Sequence, residues 1–416
     1  PAETAGFSII YNPFAQVFYI PGFLNYLILL LKGTFSLYDY LLFTILGISI
    51  FNIGLYHWLN FFIKDRSINF IVVIVTTSSL LITGLIKFPN AVHTFAWFPY
   101  VLLGINYSFY NNKKFKSFCL IFFPFIFLLT AGYPYFVVYF SFFLILYFIF
   151  IFIYQFYINN DLVLNNQSSL INFFIRNFLY FLTPLIFVLP WIIGVKSTLD
   201  LTNNRNIENI DLQFEYATEH TFNYIDIIGS WIFPIASSPE GRYNFGIFVS
   251  IIIIFFLISY LFSNFKTKKY NYLIISLLLF FIIITSLASG KDSYIFSFLW
   301  EKFDIIKNLR TWPRINILLV PVIALILGIS LDYLTNYKSR SKFYIKTLNH
   351  KNLLIFIAFF ILIYQIFLFL NEIQSSYWDD WQKKRFDYAS EILGQPFKFI
   401  LGLYDGEIHI IFTFLI

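Results

Sequence analysis

Two arginines in the segment Arg310-Thr-Trp-Pro-Arg314 stand just before an apolar segment. Each guanidinium group offers a planar fork of N–H donors that matches the oxygens of a phosphate group. If a helix begins at Ile315, the positive end of its dipole would favour the same anion. The pair therefore predicts a phosphate-binding site at the beginning of a helix.

The sequence lacks the patterns by which soluble enzymes are usually recognised. It has no glycine-rich phosphate loop, no zinc-type histidine pair and no Gly-x-Ser-x-Gly elbow. The single cysteine, Cys119, rules out an intrachain disulfide and a multi-cysteine metal site. The formal charge of +6 is small, so we expect no nucleic acid among the partners.

The composition indicates that the elements positioning these arginines lie in a membrane. Hydrophobic residues make up 59% of the 416 residues, and charged residues only 12%. A soluble protein of this length would need about twice that share of charge on its surface. We therefore predict an all-α, polytopic helical membrane protein of the cell membrane.

A helix that crosses a membrane needs about 20 apolar residues. Ten candidate spans meet or approach this length: 38–63, 68–87, 95–110, 116–131, 135–157, 173–195, 245–264, 272–288, 315–334 and 352–371. The third and fourth candidates are short, so tilted, re-entrant or protein-buried helices are alternatives there. We expect about ten or more transmembrane helices.

The remaining segments complete the predicted domain organisation. The stretch 17–31 is apolar but contains Pro21 and Gly22, so we predict a helix that lies at the membrane surface. Residues 1–371 would form one polytopic transmembrane domain. Residues 372–416 would form an extracytoplasmic tail, to which we assign no role.

Basic residues, which favour the cytoplasmic side, separate the predicted loops into two sets. The basic set contains Lys64 and Arg66; Lys113, Lys114 and Lys116; Lys266, Lys268 and Lys269; and Lys338, Arg340, Lys342, Lys346 and Lys351. The other set is nearly uncharged or acidic, and its loop 196–244 has seven acidic and three basic residues. The segments that we place outside are 1–37, 88–94, 131–134, 196–244, 289–314 and the C-terminal tail.

One predicted outer loop, residues 289–314, breaks this charge rule. It carries five basic residues: Lys291, Lys302, Lys307, Arg310 and Arg314. Either the rule, which is statistical, has an exception here, or the bases are kept outside because they bind an anion. The second alternative agrees with the phosphate site expected from the two arginines.

Other polar residues collect on the same predicted side. They are His93, Glu219, Glu240 and Arg242. Solvation in a loop explains any one of them, but their common side favours a shared role as substrate contacts. A polar crevice at the outer membrane surface would suit a lipid-linked substrate, whose head group stays in water while its tail stays in the bilayer.

An ordered series of segments resembles the YfhO-like bacterial membrane proteins of the GT-C superfamily of polyprenyl-phosphate-sugar-dependent glycosyltransferases. The segments are Tyr11-Asn-Pro13 through Pro21, His93-Thr-Phe-Ala-Trp-Phe-Pro99, Leu102-Leu-Gly104, Thr130-Ala-Gly-Tyr-Pro134, Phe233-Pro234, Tyr243-Asn-Phe-Gly246, Ser286-Leu-Ala-Ser-Gly290, Leu309-Arg-Thr-Trp-Pro-Arg314 and Gly328-Ile-Ser-Leu-Asp332. The resemblance covers most of residues 6–335, and each segment alone is a weak motif.

The resemblance implies a many-span helical protein whose extracytoplasmic loops form the active site. It implies transfer of a sugar from a polyprenyl-phosphate donor to a glycan or lipid acceptor in cell-envelope assembly, with membrane lipids as further partners. Arg310 and Arg314 would contact the donor phosphate. Metal dependence stays open, because some relatives use a divalent metal ion and others do not.

The resemblance also implies an acidic catalytic base, which would deprotonate the acceptor hydroxyl. In the family this acid follows a first span, which we expect upstream of Pro1. Glu3 is the only acid in residues 1–37 and is assigned to this role, although its surroundings do not match the family motif.

Two alternatives stand beside the enzyme: a transporter or flippase of lipid-linked glycans, and a structural membrane scaffold. A transporter predicts an internal repeat and polar residues near the middle of the membrane. The spans are strongly apolar and show no convincing repeat, which favours the enzyme.

Overall fold

The computed structural model describes residues 12–32, 37–82, 88–158, 167–199, 247–261, 268–303 and 312–338, with isolated positions at 214–215, 217–218, 307, 360 and 363. Within these residues, all regular structure is helical and no strand occurs. The all-α prediction is confirmed for this part of the chain.

Twelve α-helices follow one another in the described residues. They are α1 Ile20–Lys32, α2 Leu37–Leu59, α3 Arg66–Ile82, α4 Pro89–Ala96, α5 Phe98–Ser108, α6 Lys114–Thr130, α7 Pro134–Ile158, α8 Gln167–Leu199, α9 Ile247–Leu261, α10 Lys268–Ala288, α11 Tyr294–Lys302 and α12 Leu319–Lys338. Short 3₁₀ turns occupy Pro13–Ala15, Asn111–Lys113, Gly290–Asp292 and Trp312–Leu318.

Five described helical stretches are long and apolar enough to cross a membrane: Leu41–Leu59, Pro134–Gln155, Ile171–Ser197, Tyr270–Ala288 and Trp312–Thr335. Three shorter apolar helices contain Ile20–Leu29, Arg66–Ser78 and Val249–Leu261. The chain is therefore a helical membrane protein. The larger number of about ten spans stays a prediction, since the candidate 352–371 and the tail 372–416 lie outside the described residues apart from two positions.

The predicted span 95–110 corresponds to two short helices rather than one. Helix α4 ends at Ala96 and α5 begins at Phe98, with a single turn residue, Trp97, between them. Pro99 lies in the first turn of α5, where its missing N–H costs no hydrogen bond. Nearly all residues of the two helices are buried, which agrees with the protein-buried alternative for this segment.

Helix α12 with its 3₁₀ entry is the most buried of the apolar stretches. It packs against α3, α9 and α10, and almost every residue from Ile315 to Leu331 is buried. A helix that is apolar all round is stable only when protein or lipid surrounds it. Helix α12 therefore lies in the interior of the protein, enclosed by α3, α9 and α10.

The two sets of loops meet at opposite ends of the helices, as the charge pattern predicts. The first is the Arg314 end, formed by residues 12–20, 88–97, 131–135, 289–296 and 312–316. Its segments are joined by direct contacts: Asn90 Nδ2 donates to the Gly132 carbonyl at 3.2 Å, and the Trp312 and Phe296 rings pack 5.3 Å apart.

The second is the Lys113 end, formed by residues 60–66, 107–116, 173–176, 270–272 and 332–335. The Phe61 and Tyr110 rings lie 6.2 Å apart, and the Tyr270 hydroxyl donates to the Asp332 carboxylate at 2.9 Å. The outward orientation of the Arg314 end rests on the loop charges alone and stays a prediction.

Candidate functional site

Arg314 lies beside two neighbouring tyrosine rings at the Arg314 end, whose centroids are 5.7 Å apart. Its guanidinium carbon is 5.8 Å from the centroid of the Tyr133 ring and 5.4 Å from that of Tyr135. Both distances fall within the range in which a cation is attracted to the electron-rich face of an aromatic ring. The residue is half-buried.

The helical backbone begins earlier than the sequence predicts, and Arg314 is part of it. We expected a helix to begin at Ile315, but a 3₁₀ turn runs from Trp312 to Leu318 and the α-helix begins at Leu319. Pro313 favours this early start because its ring fixes φ at a helical value. Arg314 therefore lies inside the first turn and not before it.

Trp312 fixes the position of this turn. Its side chain is buried, with ring centroids 5.4 Å from Tyr139 of α7 and 5.3 Å from Phe296 of α11. Removing so large an aromatic side chain from water is strongly favourable. The anchored tryptophan holds Arg314, two residues later, beside the start of α7.

The two serine side chains of the motif Ser286-Leu-Ala-Ser-Gly290 are buried, and Ser289 forms a hydrogen bond with the local backbone. Ser289 Oγ donates to the Thr285 carbonyl at 2.9 Å, and the following Gly290 adopts a φ of +56°. Ser293 Oγ then accepts from the Phe296 N–H at 3.4 Å and caps α11. This segment thus ends α10 and positions the Phe296 ring against the Trp312 ring.

His93 lies in the interior of the Arg314 end, and its side chain is 0% exposed. Its Nε2 donates to the Phe43 carbonyl at 2.8 Å, because a carbonyl oxygen can only accept. In the neutral ring Nδ1 must then accept, and the Tyr19 hydroxyl donates to it at 2.7 Å. Trp97 Nε1 in turn donates to the Tyr19 oxygen at 2.9 Å.

This arrangement keeps both His93 and Tyr19 uncharged. Burial lowers the pKa of His93 to about 4, although the bond to the Phe43 carbonyl partly opposes the shift. Burial likewise raises the pKa of Tyr19, so its phenol keeps the proton that it donates. Both ring nitrogens of His93 have protein partners, so direct contact with a sugar would require one of these bonds to break.

Glycine at position 47 makes room for the histidine ring. A Cβ atom there would lie 2.9 Å from Val92 Cγ1, which is too close for a real side chain, and 3.1 Å from His93 Nε2, which is tighter than most contacts. The Phe43 ring also stacks on the imidazole, with centroids 3.9 Å apart. Helix α2 is thereby fitted to the buried histidine of α4.

The turn Gly132-Tyr-Pro134 between α6 and α7 joins the N-terminal segment to the tyrosines of the site. Gly132 has φ +101°, and a Cβ there would lie 2.8 Å from the Pro13 carbonyl oxygen. Gln16 Nε2 donates to the Ala131 carbonyl. The Tyr133 N–H donates to Thr94 Oγ1 at 3.2 Å, which ties Tyr133 to the residue next to His93.

The structure brings together two of the predicted site residues. His93 and Arg314 share the Arg314 end and are linked through Thr94 and Tyr133, but they belong to different surroundings: one is enclosed and the other partly open. The remaining candidates lie outside the described residues: Glu3, Glu219, Glu240, Arg242 and Arg310. Their roles as base or substrate contacts stay predictions.

Sequence reasoning missed Tyr133 and Tyr135 as partners of Arg314. The sequence places the segment 131–134 outside, yet nothing in the spacing pairs it with a residue about 180 positions later. The available signal was the presence of tyrosines and an arginine in loops assigned to the same side.

The described residues contain no group of three or more His, Cys, Asp or Glu side chains placed to hold a metal ion. No protein-family model, no curated protein and no solved structure matches this chain. The resemblance to YfhO-like proteins therefore rests on the sequence segments alone.

Proposed function

We propose that this protein is a membrane glycosyltransferase that takes a sugar from a polyprenyl-phosphate donor and transfers it to an extracytoplasmic acceptor in cell-envelope glycan or glycolipid assembly. The observation that carries the proposal is the place of Arg314: a half-buried arginine beside two tyrosine rings, at the end of the helices where the predicted outer loops meet.

In this reaction the bond between the sugar and the carrier phosphate breaks, and the departing phosphate gains negative charge. A cation fixed beside the phosphate stabilises that charge as it develops. Tyr133 and Tyr135 would hold the planar guanidinium group of Arg314 in position beside the phosphate. Arg310, Glu219, Glu240 and Arg242 are the further proposed contacts, and Glu3 the proposed base.

The packing supports a stationary rather than a moving Arg314. The 3₁₀ turn that carries it is anchored by buried Trp312 and continues into the central helix α12. A cation with a fixed position suits an enzyme that stabilises the charge of a phosphate bound at one site. A flippase of lipid-linked glycans, the alternative function, would have to carry its charged substrate through the membrane.

The test uses the purified protein in lipid nanodiscs with a polyprenyl-phosphate sugar and a glycan acceptor. We expect Arg314→Ala to lower kcat/KM for sugar transfer by about 100-fold or more, as removal of one charge-stabilising donor does in other enzymes. Arg314→Lys should retain part of the activity, because the charge remains while the planar fork is lost.

Lys291→Ala is the matched control, since Lys291 is an exposed cation at the same end and, of the five bases in its loop, only the two arginines are proposed to contact the phosphate. It should leave transfer unchanged. The proposal is contradicted if Arg314→Ala and Lys291→Ala transfer sugar at the same rate. Loss of lipid-linked glycan translocation in vesicles, with transfer intact, would favour the flippase instead.

A further inference from the structure

Four cations gather around one turn at the Lys113 end, far along the helices from Arg314. The ammonium nitrogens of Lys113 and Lys116 lie 4.7 Å and 4.6 Å from the centroid of the Tyr107 ring. Arg176 of α8 donates to the carbonyl of the neighbouring Ser108 at 2.7 Å. Lys114 lies between the two other lysines, with its side chain exposed.

The described residues supply these cations with no acidic partner. The ion pair that the described residues contain joins Lys32 to Asp39 at 2.8 Å. It lies elsewhere, between α1 and the start of α2. Like charges held close together repel one another, and positive charges in the first turn of a helix such as α6 also oppose its dipole. Tyr107 offsets part of this cost through its ring face.

The chain beside this cluster offers a surface for hydrocarbon. Helices α6 and α8 pack together, and an aromatic strip runs along their contact: Phe118 lies 5.2 Å from Phe122 and 5.4 Å from Tyr180, and Phe122 lies 6.3 Å from Phe187. Phe187 is 70% exposed, as a residue facing lipid tails would be.

The phenol of Tyr180 links the strip to the cluster, because it donates to the Lys114 carbonyl at 3.2 Å. Phe115, between two of the lysines, is 79% exposed. Cations at one level and exposed aromatic rings beside and below them are the pattern of a phospholipid bound at the membrane interface.

We propose that Lys113, Lys114, Lys116 and Arg176 bind the head group of an anionic phospholipid, whose acyl chains lie along the aromatic strip of α6 and α8. This site is separate from Arg314 and does not depend on the proposed transferase reaction. The loop charges place it in the cytoplasmic leaflet, where anionic head groups meet basic loops.

The test measures lipids that remain bound to the full-length protein, by native mass spectrometry after release from nanodiscs of equal parts phosphatidylglycerol and phosphatidylcholine. The wild-type protein should retain phosphatidylglycerol in preference to phosphatidylcholine. The double variant K113Q/K116Q should retain phosphatidylglycerol about 25-fold less, since each of the two lysines at the head group contributes about a fivefold preference.

The matched control is K64Q/R66Q, which removes two exposed cations from the same end without touching the cluster. It should change retention by less than about twofold. The variant K113R/K116R keeps both charges and should retain phosphatidylglycerol, which separates loss of charge from failure to fold.

Four outcomes overturn the proposal. Equal losses in K113Q/K116Q and K64Q/R66Q would show only a general surface potential. Unchanged retention in K113Q/K116Q, or equal retention of both lipids by the wild-type protein, would show no anionic lipid site. Displacement of phosphatidylglycerol by inorganic phosphate alone would show a site for free anions rather than for lipid.

Discussion

The hydroxyl of Tyr19 donates a hydrogen bond to Nδ1 of His93 at 2.7 Å, across 74 residues of sequence. Both side chains are fully buried, and each has a second partner, in Trp97 and in the Phe43 carbonyl. This bond attaches the N-terminal segment to helices α2, α4 and α5. The Arg314 end therefore has a closed polar interior beneath its partly open arginine.

Tyr19→Phe should destabilise the protein by about 1–3 kcal/mol, because the substitution leaves His93 Nδ1 buried without a partner and removes the acceptor of the Trp97 N–H. Thermal unfolding in detergent micelles measures the effect. Tyr26→Phe is the control, since Tyr26 is 57% exposed and should shift the midpoint little. Equal midpoints for the two variants would show that the buried bond contributes nothing.

The burial of His93 predicts a loss of stability in acid. Below pH 6.5 the unfolded chain takes up a proton at His93, whereas the folded protein does not until the pH approaches about 4. The free energy of unfolding should thus fall as the pH drops through this window, by about 3 kcal/mol in all. Unfolding midpoints measured between these two pH values give the slope.

His93→Gln should lower stability at neutral pH but remove this slope, because the amide does not titrate. His57→Gln, which changes an exposed histidine, should leave the slope in place. An identical slope in His93→Gln and in the wild-type protein would show that another group causes the acid sensitivity.

Gly132→Ala should destabilise the Arg314 end by at least about 1–2 kcal/mol. Its φ of +101° disfavours any side chain, and the added Cβ would lie 2.8 Å from the Pro13 carbonyl oxygen. Gly22→Ala is the matched control: Gly22 is helical, and a Cβ there would meet only side-chain atoms, at 3.2 Å or more. Thermal unfolding of both variants decides the point, and a midpoint for Gly132→Ala at or above that of Gly22→Ala would contradict it.

The fold class and the separation of the two ends follow from simple properties of the sequence. An apolar majority with little charge already requires helices in a membrane, and loop lysines such as Lys113 and Lys64 mark one side. The structure confirms the helical membrane class and the grouping of the described loops.

The details of the site depend on contacts that no local pattern contains. The expected role of His93 as a substrate contact took no account of Tyr19, whose hydroxyl reaches it only once α1 has docked. The 3₁₀ turn at Trp312 depends on Tyr139 and Phe296, which lie in other helices. Long-range packing of this kind overrides the local signals used for prediction.

The central claim is that Arg314 holds a lipid-linked phosphate at the non-cytosolic face. Labelling of intact cells with a membrane-impermeant maleimide tests that orientation in a Cys119→Ser background, with Lys291→Cys at the Arg314 end and Lys113→Cys at the opposite end. The account predicts that Lys291→Cys is labelled in intact cells and Lys113→Cys only after permeabilisation. The reverse pattern would place Arg314 on the cytosolic side and contradict the account.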